Sequence, residues 1–242
     1  MPKTAQLYEK LVPLNEKRHT DLSIETLEDY SFSSDTNATY LSLVEFTKAS
    51  REYPIVFAGT EEKMYPVAIL GLENNQNLYL SKHSRWMAEY IPAYIRRYPF
   101  ILAENKGTFT VCIDESYKGL NKDGKGKRLF EKAGEQSDYL KGMLGFLKQF
   151  QAEHQRTESF VKTLSDYGLL QPMHANVELN SGVKLSLTGF LVVNRQKLKE
   201  LEAEKIKELM KSDALEMIYT HLVSLENFNR LMERFSALDK AS

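Results

Sequence analysis

The sequence predicts an α+β fold, with antiparallel strands mostly in its first half, one later hairpin and a helical C-terminus. Three observations support this prediction. Short stretches rich in β-branched and aromatic residues, separated by turn residues, lie within residues 54–114. Two arms with two-residue alternation then flank a glycine turn at 173–193. Apolar side chains recur at helical spacing in residues 194–242, which predicts C-terminal helices.

The first part of the chain is predicted to pass from an irregular segment into a meander, within one domain that covers residues 1–242. Residues 1–39 are polar and contain a Ser-, Thr-, Asn- and Asp-rich stretch, so we expect them to be irregular. A short helix is predicted at 43–51, where Leu43 and Phe46 fall on one side. Three short strands are predicted next, at 54–59, 65–71 and 77–81.

The middle of the chain is predicted to contain three helices and a pair of strands. The helices are predicted at 86–97, 137–153 and 157–167. The strands are predicted at 100–104 and 108–114. Pro92 is expected to interrupt or restart the first helix, since proline lacks a backbone N–H. Gly168 is expected to end the last helix as a C-terminal cap.

The last third of the chain is predicted to be a hairpin followed by helices. The turn of the hairpin is expected at 180–182, where an Asn-Ser-Gly run lies between the two alternating arms. Asn194 is expected to cap the first C-terminal helix. Asp213, with Glu216 three residues later, predicts an Asp-headed capping box at the start of a later helix.

Composition excludes several classes of protein. The chain has 32 Lys and Arg against 33 Asp and Glu, and a net charge of −1 creates no field that attracts nucleic acid. The lone Cys112 excludes an internal disulfide framework and fits a reducing compartment. The polar N-terminus lacks an apolar signal region, and no apolar run approaches the length of a spanning helix. We therefore expect a cytoplasmic protein that does not insert into membranes.

The sequence contains no motif that specifies a reaction. Residues 119–126 have the Gly-x4-Gly-Lys spacing of a phosphate-binding loop, but Gly126 stands where a Ser or Thr should bind magnesium. We interpret this stretch as a solvated loop, with weak anion contact as the alternative. The five histidines are scattered without metal-ligand spacing, so no metal and no cofactor are expected. Cys112 lies in an alternating strand and is expected to be a core residue.

The most distinctive stretch is 84–100, where aromatic residues surround two adjacent arginines. Trp86, Tyr90 and Tyr94 are spaced four residues apart and would share one face of a helix. Arg96 and Arg97 could be held by stacking and offer forked donors to a carboxylate or phosphate. One interpretation is an aromatic pocket with an anion clamp made of these five residues. The other is an aromatic core stripe whose arginines bond to backbone carbonyls or to Asp and Glu.

Two residues outside this stretch are candidates for acid–base chemistry. His19 lies in the irregular N-terminal segment beside Lys17 and Arg18, and loops often carry functional residues. Asp114 ends a predicted strand. In an enzyme, His19 and Asp114 would exchange protons with a substrate whose carboxylate is bound by Arg96 or Arg97.

Several strings in the chain carry a family resemblance. The most specific is Arg-Arg-Tyr-Pro-Phe at 96–100, and supporting strings lie at 53–57, 68–72, 90–93, 112–114 and 189–190. On these strings the chain resembles the SapC family of bacterial proteins over nearly its whole length. The resemblance implies an association with bacterial surface layers, outer-membrane nutrient receptors or flavin-dependent halogenase-like enzymes. It does not extend to the transport permease of the same name, and it implies no catalytic residues.

These observations leave three hypotheses about function. The first is a non-catalytic accessory or binding protein that holds a protein segment or a small anionic ligand near Trp86, Tyr90, Tyr94, Arg96 and Arg97. The second is an enzyme that acts on an amino acid or peptide. The third is a surface-layer component exported without a signal peptide. The sequence makes no prediction of the oligomeric state.

Overall fold

The computed structural model describes residues 7–60, 63–105, 107–132, 134–178 and 184–239, and it confirms the predicted α+β class. The strands are β1 (Leu11–Pro13), β2 (Ser23–Ile24), β3 (Ala38–Tyr40), β4 (Ile55–Thr60), β5 (Lys63–Ile69), β6 (Phe100–Asn105), β7 (Thr108–Asp114), β8 (Leu120–Asn121), β9 (Lys127–Arg128), β10 (Leu170–Glu178) and β11 (Lys184–Val193). The helices are α1 (Glu16–His19), α2 (Phe46–Ala49), α3 (Ala93–Arg96), α4 (Asp138–Asp166), α5 (Arg195–Lys199), α6 (Ala203–Lys211), α7 (Ala214–Ser224) and α8 (Asn227–Asp239). Short 3-10 helices lie at Ser31–Ser33 and Leu43–Glu45.

The strands form three antiparallel sheets. The largest has the order β10-β11-β4-β5-β3, the second β1-β7-β6 and the smallest β8-β2-β9. Residues 7–39, expected to be irregular, contribute a strand to each sheet through β1, β2 and β3. The pairs β4–β5 and β6–β7 confirm four of the predicted strands. The strand predicted at 77–81 is wrong, since only Leu80 forms an isolated bridge there, with Trp86.

The long helix α4 joins the three parts of the hydrophobic core. Phe160 packs in the large cluster against the five-stranded sheet, where α7 and α8 also contribute buried residues. Phe150 packs in a second cluster with Tyr40 and Tyr94. Leu147 packs in a third cluster with Ile113 of β7. One helix therefore contacts all three clusters along about eight turns.

A single helix replaces the two helices predicted at 137–153 and 157–167. Nothing between them breaks the hydrogen-bond ladder, and Thr157 donates its hydroxyl back to the Glu153 carbonyl at 2.7 Å. The predicted stop at Gly168 is confirmed, with φ at +63°. Its N–H bonds to Ser165 and the next N–H, of Leu169, bonds to Leu164, which is the Schellman arrangement.

The hairpin and one of the two predicted caps are confirmed in the last third. β10 and β11 pair with a register shift between Met173 and Ala175, and the turn predicted at 180–182 lies outside the described residues. The Asn194 side chain accepts bonds from the Gln196 and Lys197 N–H groups at 2.9 and 3.0 Å. The capping box predicted at Asp213 is wrong. Asp213 has φ at +58° instead of the extended conformation of an N-cap, so its carboxylate caps nothing.

Candidate functional site

The segment that precedes α3 is not helical, so the helix predicted at 86–97 is wrong except for its last turn. The Glu52 carboxylate accepts bonds from the backbone N–H groups of Glu89 and Tyr90, at 3.0 and 2.9 Å. Because these donors are bonded outside the segment and Pro92 has no N–H, a helical ladder does not form here. Trp86, Tyr90 and Tyr94 therefore do not share a helix face.

Glu45 fixes the same segment from the other side. Its buried carboxylate accepts bonds from the Tyr90 hydroxyl and the Ala93 N–H, both at 2.7 Å. It also accepts bonds from the Ser42 N–H at 2.8 Å and the Ser42 hydroxyl at 2.7 Å. Burial and the neighbouring Glu45 charge raise the pKa of Tyr90, which keeps its hydroxyl protonated as a donor. Tyr90 thus joins the segment to the core.

Trp86 is held in a half-buried position by other aromatic residues. Its indole N–H donates to the Tyr53 hydroxyl at 2.8 Å. Its ring lies 5.7 Å from the Tyr30 ring, edge to face, and 6.4 Å from the Tyr79 ring, nearly parallel. Because Tyr53 and Tyr79 are fully buried, Trp86 connects the large core cluster to Tyr30 nearer the surface.

Arg97 and Tyr94 are both buried and stacked together. The Arg97 guanidinium carbon lies 3.9 Å from the centre of the Tyr94 ring and 5.2 Å from that of Phe150. The residue is only 4% exposed, and its Nε and Nη2 atoms have no hydrogen-bond partner among the described residues. Burial raises the pKa of the nearby Tyr8 to about 12, although the Arg97 charge acts in the opposite direction. Arg97 is a buried cation between aromatic rings.

Arg96 has the opposite environment, because its side chain is exposed. Its Nε donates to the Ile91 carbonyl at 2.9 Å. Its guanidinium carbon lies 5.3 Å from the Phe146 ring of α4 and 5.7 Å from the Tyr90 ring. These contacts hold the guanidinium at the surface with a defined orientation.

Arg96 lines a cleft formed by residues from distant parts of the chain. The cleft has two adjoining depressions of about 340 and 230 Å³, which share Leu27, Asp29, Phe32, Tyr98 and Tyr117. We call it the aromatic cleft. Phe32 and Tyr98 stack with ring centres 3.9 Å apart, and Tyr98 meets Tyr117 edge to face at 5.5 Å. The larger depression also includes Arg96, and an Arg96 guanidinium beside aromatic walls is a suitable contact for an anionic group on a flat ligand.

The N-terminal side of the aromatic cleft is held by Lys118 and Tyr117. The Lys118 ammonium donates to Asp29 Oδ2 at 2.9 Å and to the Ser31 hydroxyl at 3.3 Å. Hydrogen bonds from Lys118 and from Ser31 hold the pKa of Asp29 below its usual range, so Asp29 is ionised at neutral pH. The Tyr117 hydroxyl donates to the Glu25 carbonyl at 2.9 Å. The loop carrying Asp29 and Phe32 is thereby fixed against β7 and the residues after it.

Comparison with protein-family models gives a match to the SapC model that spans residues 14–231 of the 242-residue chain. The chain belongs to the SapC family. Comparisons with curated proteins and with solved structures give no match. The matched region of this SapC chain includes every residue that lines the larger depression.

His19 and Asp114, the acid–base candidates, do not contact each other in this SapC chain. Asp114 is fully buried and accepts bonds from the Glu9 and Lys10 N–H groups, both at 2.9 Å, and from the Ser116 hydroxyl at 2.6 Å. Burial raises the pKa of Asp114, but these bonds outweigh it and hold the pKa below its usual range. The Asp114 carboxylate is therefore ionised, and both of its oxygens already accept hydrogen bonds from the backbone N–H groups of Glu9 and Lys10.

His19 is also fully buried, and it lies at the end of α1. Its Nδ1 lies 2.8 Å from the Asn15 carbonyl and 2.9 Å from the Asn15 nitrogen. Its Nε2 lies 3.4 Å from Oε1 of Glu115, the residue after Asp114. Arg18 and Lys10 also contact Glu115, and hydrogen bonds from Arg18 and Lys10 lower the pKa of Glu115 to about 2. The catalytic role suggested for His19 and Asp114 stays a hypothesis.

The glycines of the phosphate-loop-like stretch have a packing role. A Cβ at Gly126 would lie 2.1 Å from the Ile24 carbonyl oxygen, and one at Gly119 would lie 2.3 Å from that of Glu25. Both contacts are with β2 or the residue directly after it, and β2 lies between β8 and β9 in the smallest sheet. Gly119 and Gly126 thus let the three short strands approach one another, whereas Gly124 has nothing within 4 Å of its Cβ position.

Cys112 is buried, and burial raises the pKa of its thiol, as expected for a core cysteine. No group of His, Cys, Asp or Glu within the described ranges is arranged to hold a metal ion. None of the described helices has the length and apolar content needed to cross a bilayer.

Among the residues that line the aromatic cleft, sequence reasoning missed the charged Asp29 and the aromatic Tyr30, Phe32, Tyr98, Tyr117 and Phe146. Of the five predicted ligand-binding residues, Arg96 lines the cleft, whereas Trp86 contacts it only through Tyr30. The missed residues lie in four separate segments of the chain. The excess of tyrosine and phenylalanine is the only sequence signal of the aromatic members, and composition carries no information about which rings meet.

Proposed function

We propose that this protein is a non-catalytic binding protein that holds a small anionic ligand with a flat apolar part in the aromatic cleft. The observation that carries the proposal is the exposed Arg96 guanidinium, braced on Phe146 and the Ile91 carbonyl, at the wall of the larger depression. A carboxylate would bind the guanidinium and a ring would pack against the aromatic wall. The volume of about 340 Å³ suits a small molecule better than a folded protein segment.

The proposal includes an accessory role inside the cell. Membership in the SapC family supports an accessory role, and the use of a single, buried cysteine fits the cytoplasm. An enzyme that acts on an amino acid or peptide is less well supported, because His19 and Asp114 are bonded within the fold and lie outside the lining of the cleft. No structural observation favours a surface-layer role.

The charge requirement can be tested with 3-phenylpropionate and its neutral amide as probes. We expect saturable binding of the acid by isothermal titration calorimetry and much weaker binding of the amide. Arg96→Met should weaken binding of the acid about 10- to 100-fold, which corresponds to the loss of hydrogen bonds to a charged group. The amide should bind equally to both proteins.

Arg85→Met is the matched control. Arg85 is an exposed arginine in the same part of the chain, 3.7 Å from Glu28, and it does not line the cleft. Its replacement should leave the affinity for 3-phenylpropionate unchanged. Equal affinities for the acid and the amide, or an Arg96→Met variant that binds the acid normally, would show that Arg96 is not an anion clamp. If Arg85→Met weakens binding as much as Arg96→Met does, the loss of affinity reflects the change in net charge and not a direct contact with Arg96.

A further inference from the structure

The larger depression of the aromatic cleft contains one cationic and one anionic side chain. The cation is Arg96 and the anion is Asp29; every other described residue of its lining is uncharged. Lys118, which pairs with Asp29, lines only the smaller depression. A ligand that carried only a negative charge would be attracted by Arg96 and repelled by Asp29, and a purely cationic ligand would face the reverse. A ligand with both charges matches the lining.

From this arrangement we infer that the larger depression binds an amino acid with a ring in its side chain and with free ammonium and carboxylate groups. The inference rests on the proposed function and names its ligand class. The carboxylate would bind the Arg96 guanidinium and the ammonium group would bind the Asp29 carboxylate. The ring would pack among Tyr30, Phe32 and Phe146.

Asp29 is arranged to receive an ammonium group. Its Oδ1 accepts one bond, from the Ser31 N–H at 2.9 Å, and its Oδ2 accepts one from Lys118 at 2.9 Å. A carboxylate has about four acceptor positions, so these two bonds leave acceptor capacity. The Asp29 side chain is 32% exposed, which gives a ligand access to it. The two bonds also hold the carboxylate in one orientation before a ligand arrives, which reduces the entropy lost on binding.

The walls supply the third contact. Tyr30 and Phe32 belong to the same short segment as Asp29, and their ring centres are 6.0 Å apart. Phe146 of α4 lies with its ring centre 5.3 Å from the Arg96 guanidinium carbon. A ring between them would make offset or edge-to-face contacts, which aromatic groups prefer. The ligand would thus be recognised at three points, and a compound that lacks one of the charges should bind more weakly.

Three probes that share one carbon skeleton test this inference. L-Phenylalanine carries both charges, 3-phenylpropionate lacks the ammonium group, and 2-phenylethylamine lacks the carboxylate. We expect phenylalanine to bind about 10-fold more tightly than either of the others, because each charge-assisted contact adds affinity. Asp29→Asn should weaken binding of phenylalanine about 10-fold and leave binding of 3-phenylpropionate unchanged or slightly tighter.

Lys118→Met is the matched control for the loss of the Asp29–Lys118 ion pair. This variant removes the pair but keeps the Asp29 carboxylate, so a preference for phenylalanine should remain, reduced because one of the two bonds that orient Asp29 is lost. If it loses that preference as fully as Asp29→Asn does, Asp29 acts only by holding its loop, and the inference is overturned.

The remaining outcomes separate this inference from the proposed function. If 3-phenylpropionate binds through Arg96 but phenylalanine binds no more tightly, the zwitterion inference fails and the proposed function stands. If none of the three probes shows saturable binding, both fail. If phenylalanine binds most tightly and loses its advantage only in Asp29→Asn, the inference is supported.

Discussion

At the scale of single residues, Arg96 and Arg97 are neighbours with opposite environments. Arg96 is exposed beside the aromatic cleft, whereas Arg97 is 4% exposed and stacked on Tyr94. The direction of each side chain is set by the short helix α3, since successive residues of a helix point about 100° apart. The structure therefore places Arg96 at the wall of the aromatic cleft and leaves Arg97 as a buried cation without a carboxylate partner among the described residues.

Arg97→Met is expected to raise the free energy of unfolding by about 1 kcal/mol, because an unpaired buried charge costs more than its stacking on Tyr94 returns. Methionine keeps the length and the contact with the rings. Urea unfolding followed by the fluorescence of Trp86, the chain's one tryptophan, measures the effect. Binding of 3-phenylpropionate should be unchanged. If the folded Arg97→Met protein no longer binds 3-phenylpropionate, Arg97 contributes to ligand binding, as the sequence suggested.

At the scale of elements, close approaches of the backbone explain residues that sequence patterns assign to other roles. The glycine at 126 allows β2 to lie beside β9, and the Glu45 and Glu52 carboxylates replace the hydrogen bonds of a helix before α3. Each of these contacts joins residues more than 35 positions apart. Local periodicity at 86–97 is that of a helix, but the bonds to distant carboxylates are stronger than the helical bonds they replace.

Gly126→Ala is expected to destabilise the protein by more than about 2 kcal/mol. An alanine in the left-handed conformation costs roughly 1 kcal/mol, and the steric clash of its Cβ with a backbone carbonyl adds a further cost. Gly126 has φ at +82° and a Cβ there would lie 2.1 Å from the Ile24 oxygen. Gly124→Ala is the control, because Gly124 has φ at +76° but nothing within 4 Å of the Cβ position. Chemical denaturation should show the larger loss at 126. Equal losses would mean that conformation alone requires glycine there.

At the scale of the whole molecule, His221 attaches the C-terminal helices to the largest sheet. Within the described part of the chain, the strands β4 and β11 pair at one position, Leu191 with Phe57. Beyond that point, the imidazole of His221 accepts a bond from the Val193 N–H at 3.1 Å and donates to the Ile55 carbonyl at 2.8 Å. The ring thus completes the contact between the two strands from α7. Burial lowers the pKa of His221 to about 4, so the ring is neutral in the folded protein.

Stability should therefore fall between about pH 7.5 and pH 5. The unfolded chain binds a proton at His221 with an ordinary pKa near 6.5 and the folded protein does not until about pH 4, so the stabilisation is present above pH 6.5 and is lost as the pH falls. His221 alone should account for a loss of about 2 kcal/mol by pH 5. Burial also lowers the pKa of His154, which acts in the same direction.

Urea unfolding at a series of pH values measures this dependence. His83→Gln is the control, because His83 is exposed and its replacement should leave the dependence intact. His221→Gln should make the free energy of unfolding less dependent on pH, and it should lower that free energy at neutral pH. A stability that stays level from pH 7.5 to pH 5 in the unaltered protein would contradict the role of a neutral His221.

The amino-acid sequence by itself determined the α+β class, most strands, the hairpin, the Gly168 stop and the Asn194 cap, because these depend on alternation and on caps within a few residues. It also pointed to Arg96. Three outcomes required the folded structure: residues 86–92 are not a helix, α4 is continuous, and Asp29, Phe32, Tyr117 and Arg96 meet in one cleft. Those outcomes depend on hydrogen bonds and ring contacts between residues far apart in the chain, and no local pattern records which distant groups will meet.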